Sequence, residues 1–135
     1  MTDKFLTQID KFVVDTEKKM LNVIRHSINA VVDDAQKTVE QGGKMRVDTG
    51  FLRNSGLSQI GSMPSGASKG DPKGKYMWTD NQLGINLNQM KAGDTFYFGW
   101  TANYAKYREV YDGFLDSAAQ NWQAHVDEAV RRLKK

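Results

Sequence analysis

Cysteine is absent from this 135-residue chain. That excludes a disulfide framework, a thiolate metal site and a cysteine nucleophile. Proline is almost absent too: there are only two, Pro64 and Pro72, and both fall in one stretch. No apolar run approaches the ~20 residues that a membrane span needs. The first ten residues, Met1 to Asp10, lack the apolar segment and cleavage site of a signal peptide, so neither export nor a membrane is expected. Charge of one sign is scarce as well. Nineteen Lys and Arg against sixteen Asp and Glu leave a net +3. Histidine occurs twice, at His26 and His125.

What is present fits one domain of ordinary size with a real core. An apolar share of 39% with 26% charged residues does not describe a disordered chain. The basic excess lies in the middle, at Lys44, Arg46, Arg53, Lys69, Lys73 and Lys75 against Asp48 and Asp71.

Asp3 to Gln41 reads as one long helix. Phe5, Ile9, Phe12, Val13, Thr16, Met20, Ile24, Ile28, Val31, Ala35 and Val39 recur at steps of three and four, which puts them on one side of a helix. Thr2 or Asp3 can cap its start, and Gly42-Gly43 supplies its stop. At ~1.5 Å per residue it outreaches a small domain. It must bend near His26-Ser27 or Asn29, or project beyond its own core.

Val47 to Ser55 reads as a turn or a single helical turn capped by Asp48. Leu57 to Met63 reads as a short strand. Pro64 to Lys75, with both prolines, three glycines and three lysines, reads as a long flexible loop. Tyr76 to Trp78 and Leu83 to Leu87 are candidate strands, and Thr95 to Thr101 is the strongest strand signal in the chain. Asn103 to Tyr111 suits a short helix. Phe114 to Leu133 suits an amphipathic one, with Arg131, Arg132, Lys134 and Lys135 at its negative end. The class is α+β: a long N-terminal helix (1–42), a small antiparallel sheet with loops (43–101) and a C-terminal helical part (102–135), all in one domain.

Chemistry-bearing patterns are few. His26 has Ser27 beside it, but adjacent helical residues do not face each other. His125 has Glu128 one turn on, which falls short of the three or four ligands a metal needs. The glycine-rich SGASKGDPKGKY lacks phosphate-loop spacing and has Tyr76 where a hydroxyl residue should follow Lys75. No catalytic residue, cofactor or metal site is expected. Lys69, Lys73 and Lys75 precede Tyr76 and Trp78, a pairing suited to sequence-blind contact with a nucleic acid. Tyr97, Phe98, Trp100, Tyr104, Tyr107 and Tyr111 crowd one segment. Tyr97, Trp100, Tyr111 and Trp122 are candidate interface residues, since Tyr and Trp are favoured there.

Two strings carry a resemblance. RVDTGFLRNS, then ANYAKYREV after the last strand and before a terminal amphipathic helix, is similar to the neck or tail-completion proteins of long-tailed bacteriophages. Matches to the first family string are Val47, Asp48, Thr49, Gly50, Leu52, Arg53 and Ser55. Matches to the second are Tyr104, Ala105, Tyr107 and Glu109. Where the family commonly runs on into an aromatic-Gly-Thr turn, this chain has EVYDGFLDSAAQNW. The resemblance implies a non-enzymatic virion component made in the host cytoplasm. Its copies would form a ring, a hexamer in such proteins, joining the head's portal and connector to the tail tube or tail terminator around the DNA channel. The alternatives are a tail terminator or stopper-like ring subunit, a nucleic-acid-binding module acting alone, and a small hydrolase or metal enzyme. The first string is then expected to be a structural corner: Asp48 caps it, Leu52 anchors it, and Arg53 pairs with a carboxylate such as Glu109.

Overall fold

The computed structural model describes residues 2–133, with side chains from Leu6 onward. The proposed cap at Thr2 or Asp3, the contribution of Phe5 to the apolar stripe and the charges of Lys134 and Lys135 lie outside those side chains. The fold is mixed helix and sheet. In order come α1 (Thr2–Gln36), a 3₁₀ turn (Val39–Gln41), α2 (Phe51–Asn54), β1 (Gly56–Ile60), α3 (Asn81–Gln89), β2 (Phe96–Trp100), α4 (Ala105–Asp112), α5 (Phe114–Ala119) and α6 (Trp122–Leu133).

α1 is unbroken through His26 and ends at Gln36, short of Gln41. Its C-terminal half forms the spine of the body, with α3, α5 and α6 packed against it. Its N-terminal half runs on with its apolar side bare. The chain then reverses: Val39 N–H donates to the Met45 carbonyl, and Gly42 takes the left-handed φ of 92° that a glycine supplies at a helix end.

β1 and β2 form an antiparallel pair with Gly56 opposite Trp100 and Ile60 opposite Phe96. Period two places Phe96, Phe98 and Trp100 on one face and Tyr97 with Gly99 on the other. The first face is aromatic and covered. Phe96 and Phe98 pack with Trp78 and Ile28 against Val32, Leu83 and Leu87. Trp100 stacks edge-on against Phe98 and Phe114 at 5.2 and 4.9 Å between ring centres. Beside this lies a second cluster of Met45, Leu52, Ala102 and Phe114.

Three local expectations are corrected. Tyr76 to Trp78 forms no strand and lies outside the sheet. Leu83 to Leu87 belongs to a helix, α3, because Leu83 and Leu87 are one turn apart and both buried, while Ile85 is exposed on the opposite side. Arg25 fixes the end of α3, donating from Nε to the Leu87 carbonyl at 2.7 Å and from a terminal nitrogen to that of Met90 at 2.8 Å. Phe114 to Leu133 is two helices with a break at the exposed Gln120-Asn121, where Asn121 favours a turn over a helix interior.

Candidate functional site

The two strings that carry the resemblance meet in space. A surface cleft of about 370 Å³ is lined by Arg46 through Arg53 from the first string and by Tyr104 and Arg108 from the second. α2 is a single turn, begun by Gly50 at a left-handed φ of 85°. A Cβ at Gly50 would collide with the Tyr76 carbonyl oxygen, and Tyr76 N–H donates to the Thr49 carbonyl at 2.8 Å. The glycine is therefore required both by the backbone conformation and by a close approach. Leu52 is buried. Ser55 is also buried, its hydroxyl donating back to the Leu52 carbonyl at 2.7 Å.

Two parts of the expected corner are corrected. Asp48 is exposed and caps nothing; the side chain that accepts at the start of α2 is Thr49, whose Oγ1 lies 3.2 Å from Phe51 N. Arg53 does not pair with Glu109. Its Nε donates to the Gln36 carbonyl at 2.8 Å, at the exact end of α1, and its guanidinium sits 5.5 Å from the Trp78 ring. A cation at an unsatisfied C-terminal carbonyl suits the helix dipole, and the last turn of α1 has no basic residue of its own. Glu109 instead accepts from the Leu115 and Asp116 amides at 2.8 and 3.0 Å, so it caps the first turn of α5.

Sequence reasoning missed the residue that joins these parts. Gln36 is 1% exposed. Its Nε2 donates to the Arg53 carbonyl at 2.9 Å, and its Oε1 accepts from Trp100 Nε1 at 2.9 Å. One side chain thus links α1, α2 and β2 with all its buried groups satisfied. The available signal was an amide on the apolar side of α1, four residues after Val32. Asp112 was missed too: its side chain is 2% exposed and held by Arg108 at 2.7 Å and Arg46 at 3.6 Å.

Electrostatics at the corner follow from crowding. Lost hydration raises the Tyr104 pKa above its ordinary value; a backbone hydrogen bond from Leu52 offsets this in part, and the Asp48 charge adds to it. Lost hydration also raises the Asp33 carboxyl, helped by repulsion from Asp80 and Asp34 and opposed by Arg53.

The remaining candidates separate into inner and outer groups. Trp100 is half-buried and makes the internal contacts described. Tyr97 is half-buried and Trp122 is exposed. Ala105 packs against the second core cluster. On α4, Tyr107, Val110 and Tyr111 stand out from the body, with Val110 78% and Tyr111 81% exposed. Lys69, Lys73 and Lys75 are all exposed. Their loop is fastened at both ends: Ser68 exchanges backbone hydrogen bonds with Thr101 and Asn103, and Tyr76 is held by Thr49.

His26 and His125 face one groove with Asp34 and Glu128. His125 Nε2 lies 2.6 Å from Asp34 Oδ2, which clasps α6 to α1, while Glu128 is taken by Arg131 and Arg132. Among the described residues no group of three or more His, Cys, Asp or Glu is placed to hold a metal, and no helix is long and apolar enough to cross a membrane.

No family model, curated protein or solved structure matches this chain.

Proposed function

We propose that this protein is a structural subunit of a tailed-phage neck, a tail-completion protein whose copies close into a ring between the head connector and the tail. The observation that carries the reading is a chain with two separate uncovered apolar helix faces. One is the N-terminal half of α1, and the other is the Tyr107–Val110–Tyr111 face of α4. A head-to-tail ring needs two different sticky surfaces on each copy, and it closes when the rotation between copies fits. The two family strings support the identity, because they build a single corner that sets the sheet and α4 against the end of α1.

In this reading the mechanism is assembly without turnover. Gln36 and Arg53 hold the corner rigid, so the two sticky faces keep a fixed angle. The exposed Lys69, Lys73 and Lys75 line the channel and touch phosphate without reading sequence, which lets the genome slide. A tail terminator or stopper-like subunit would use the same surfaces at another level of the particle.

Electron microscopy of the purified protein, with mass spectrometry of purified phage particles, tests this. Rings with a central opening and a protein present in the virion are expected. A protein that never forms rings and is missing from particles overturns it. The reading as a lone nucleic-acid-binding module gains instead if the monomer binds DNA with a steep salt dependence.

A further inference from the structure

Phe51 joins the cleft at the corner to the lysine-bearing segment. It lines the cleft. Its ring also meets the segment at two points: a Cβ at Gly70 would fall 2.5 Å from it, and the Tyr76 ring lies edge-on at 5.0 Å. The residues between are a pinned turn. Gly74 N–H donates to the Asp71 carbonyl at 2.9 Å, Lys73 N–H to Asp71 Oδ1 at 2.9 Å, and Asp71 N–H to the Tyr76 hydroxyl at 3.0 Å. The Asp71 carboxylate is thereby spent on an amide of its own turn. Lys69, Lys73 and Lys75 stand exposed around it.

The cleft has cations of its own. Arg46 and Arg108 both line it. Both also turn to one oxygen of the buried Asp112 carboxylate, Arg108 at 2.7 Å and Arg46 at 3.6 Å, the second beyond hydrogen-bond reach. The other carboxylate oxygen is buried with no partner. Two guanidinium charges therefore share one carboxylate, and one positive charge is left over. Each guanidinium carries five N–H donors. Among the described residues, the pairing with Asp112 is the only hydrogen bond or ion pair that either side chain makes. The Arg46 side chain is 76% exposed, so its remaining donors are open to an incoming anion. Asp48 is the one acid among the lining residues, and Arg53 is committed to Gln36.

We propose that Arg108, Arg46 and the lysine turn form one track for a phosphodiester backbone, with a phosphate seated in the cleft between the two guanidiniums. A lone carboxylate, such as one from a neighbouring copy, would be satisfied by a single guanidinium in a bidentate pair. Cations from two walls of a cleft, followed past Phe51 by three more on a fixed turn, suit an anion that repeats. Contacts of this kind position a nucleic acid without reading its sequence. Asp48 opposes the anion and keeps the contact weak, as a moving genome requires. The inference rests on the channel reading of Lys69, Lys73 and Lys75, and adds to it the place where the strand is held most closely.

Binding of the full chain to a random-sequence DNA duplex, followed by fluorescence anisotropy from about 50 to 200 mM salt, tests this. Each phosphate contact contributes about 0.9 to the slope of log affinity on log salt. Arg46→Gln, at a side chain open to solvent, is expected to keep the wild-type melting curve and lower the slope by about 0.9. Arg108→Gln alone would strand the buried Asp112, so it is combined with Asp112→Asn. This double variant keeps the net charge of +3, and its slope is expected to fall by the same amount. Lys11→Gln, on the N-terminal half of α1, removes a charge and is expected to leave the slope unchanged. Wild-type slopes in Arg46→Gln and in the folded double variant, while Lys69→Gln, Lys73→Gln and Lys75→Gln lower it, overturn this inference and leave the channel reading standing. An equal fall for Lys11→Gln marks a diffuse field and overturns it as well. So does loss of ring formation in the arginine variants with DNA binding unaltered, which assigns the cleft to a carboxylate of a neighbouring copy. A wild-type chain that binds no duplex at about 50 mM salt overturns both this inference and the channel reading.

Discussion

Removing the Arg53 side chain tests the corner directly. In Arg53→Ala, the Gln36 carbonyl at the end of α1 loses a cationic donor 2.8 Å away. A hydrogen bond to a charged group contributes about 1.5–3 kcal/mol. The guanidinium over the Trp78 ring at 5.5 Å adds roughly 0.5–1 kcal/mol at a partly exposed site. The sum is about 2–4 kcal/mol, a large part of the ~5–15 kcal/mol that holds a typical domain together. Urea unfolding followed by helix circular dichroism reads this as a midpoint lowered by about 1–2 M, for a slope near ~2 kcal/mol per M. Arg53→Lys keeps the charge without the planar fork and recovers only part of the loss. Arg53 and Glu109 share no partner, so the losses from Arg53→Ala and Glu109→Ala should add within about 0.5 kcal/mol. An Arg53→Ala variant within about 0.5 kcal/mol of wild type refutes the corner. A coupling well above that figure restores the Arg53–Glu109 pair.

Gly50→Ala should cost about 2–4 kcal/mol, because the alanine meets both a left-handed backbone and the Tyr76 carbonyl; thermal melting checks it. Glu109→Ala should cost about 1 kcal/mol through loss of the α5 cap, read as faster amide exchange at Leu115 and Asp116. Asp33→Asn should stabilise the fold at neutral pH by no more than about 0.5 kcal/mol, since the side chain reaches solvent and is screened. The sign follows from its raised pKa. The folded state holds the Asp33 proton more tightly than the unfolded chain does, so this group's contribution falls as pH rises through that window. The gain from Asp33→Asn should therefore vanish in acid, as melting curves across pH will read.

The long helix and its apolar stripe were legible because a 3.6-residue period sustained over many turns admits few alternatives. Leu83-Gly-Ile-Asn-Leu87 was not, because five residues satisfy both period two and period four; the helix is selected by Val32 on one side and the Arg25 donors at its end. The corner was legible as a corner, through Gly50 and Leu52. The partner of Arg53 was not, since a guanidinium serves any carboxylate or carbonyl that the tertiary structure brings near. Gln36 was hidden for the opposite reason: a glutamine on a helix is normally solvated, and only the return of β2 past the end of α1 buries it. Aromatic enrichment marks cores and interfaces alike, so the internal contacts of Trp100 were not legible. The uncovered face of α4 is also visible as tyrosines at helical spacing, though the exposure of Val110 beside them needed the fold.

Sedimentation velocity over a wide concentration range addresses the central claim most directly, that the bare faces of α1 and α4 are covered by sister copies. The account predicts a concentration-dependent rise to a closed oligomer of discrete size, lost when Tyr107 and Tyr111 or Ile9 and Val13 are made acidic while the melting curve of the monomer stays unchanged. A single monomeric boundary at every concentration would contradict it.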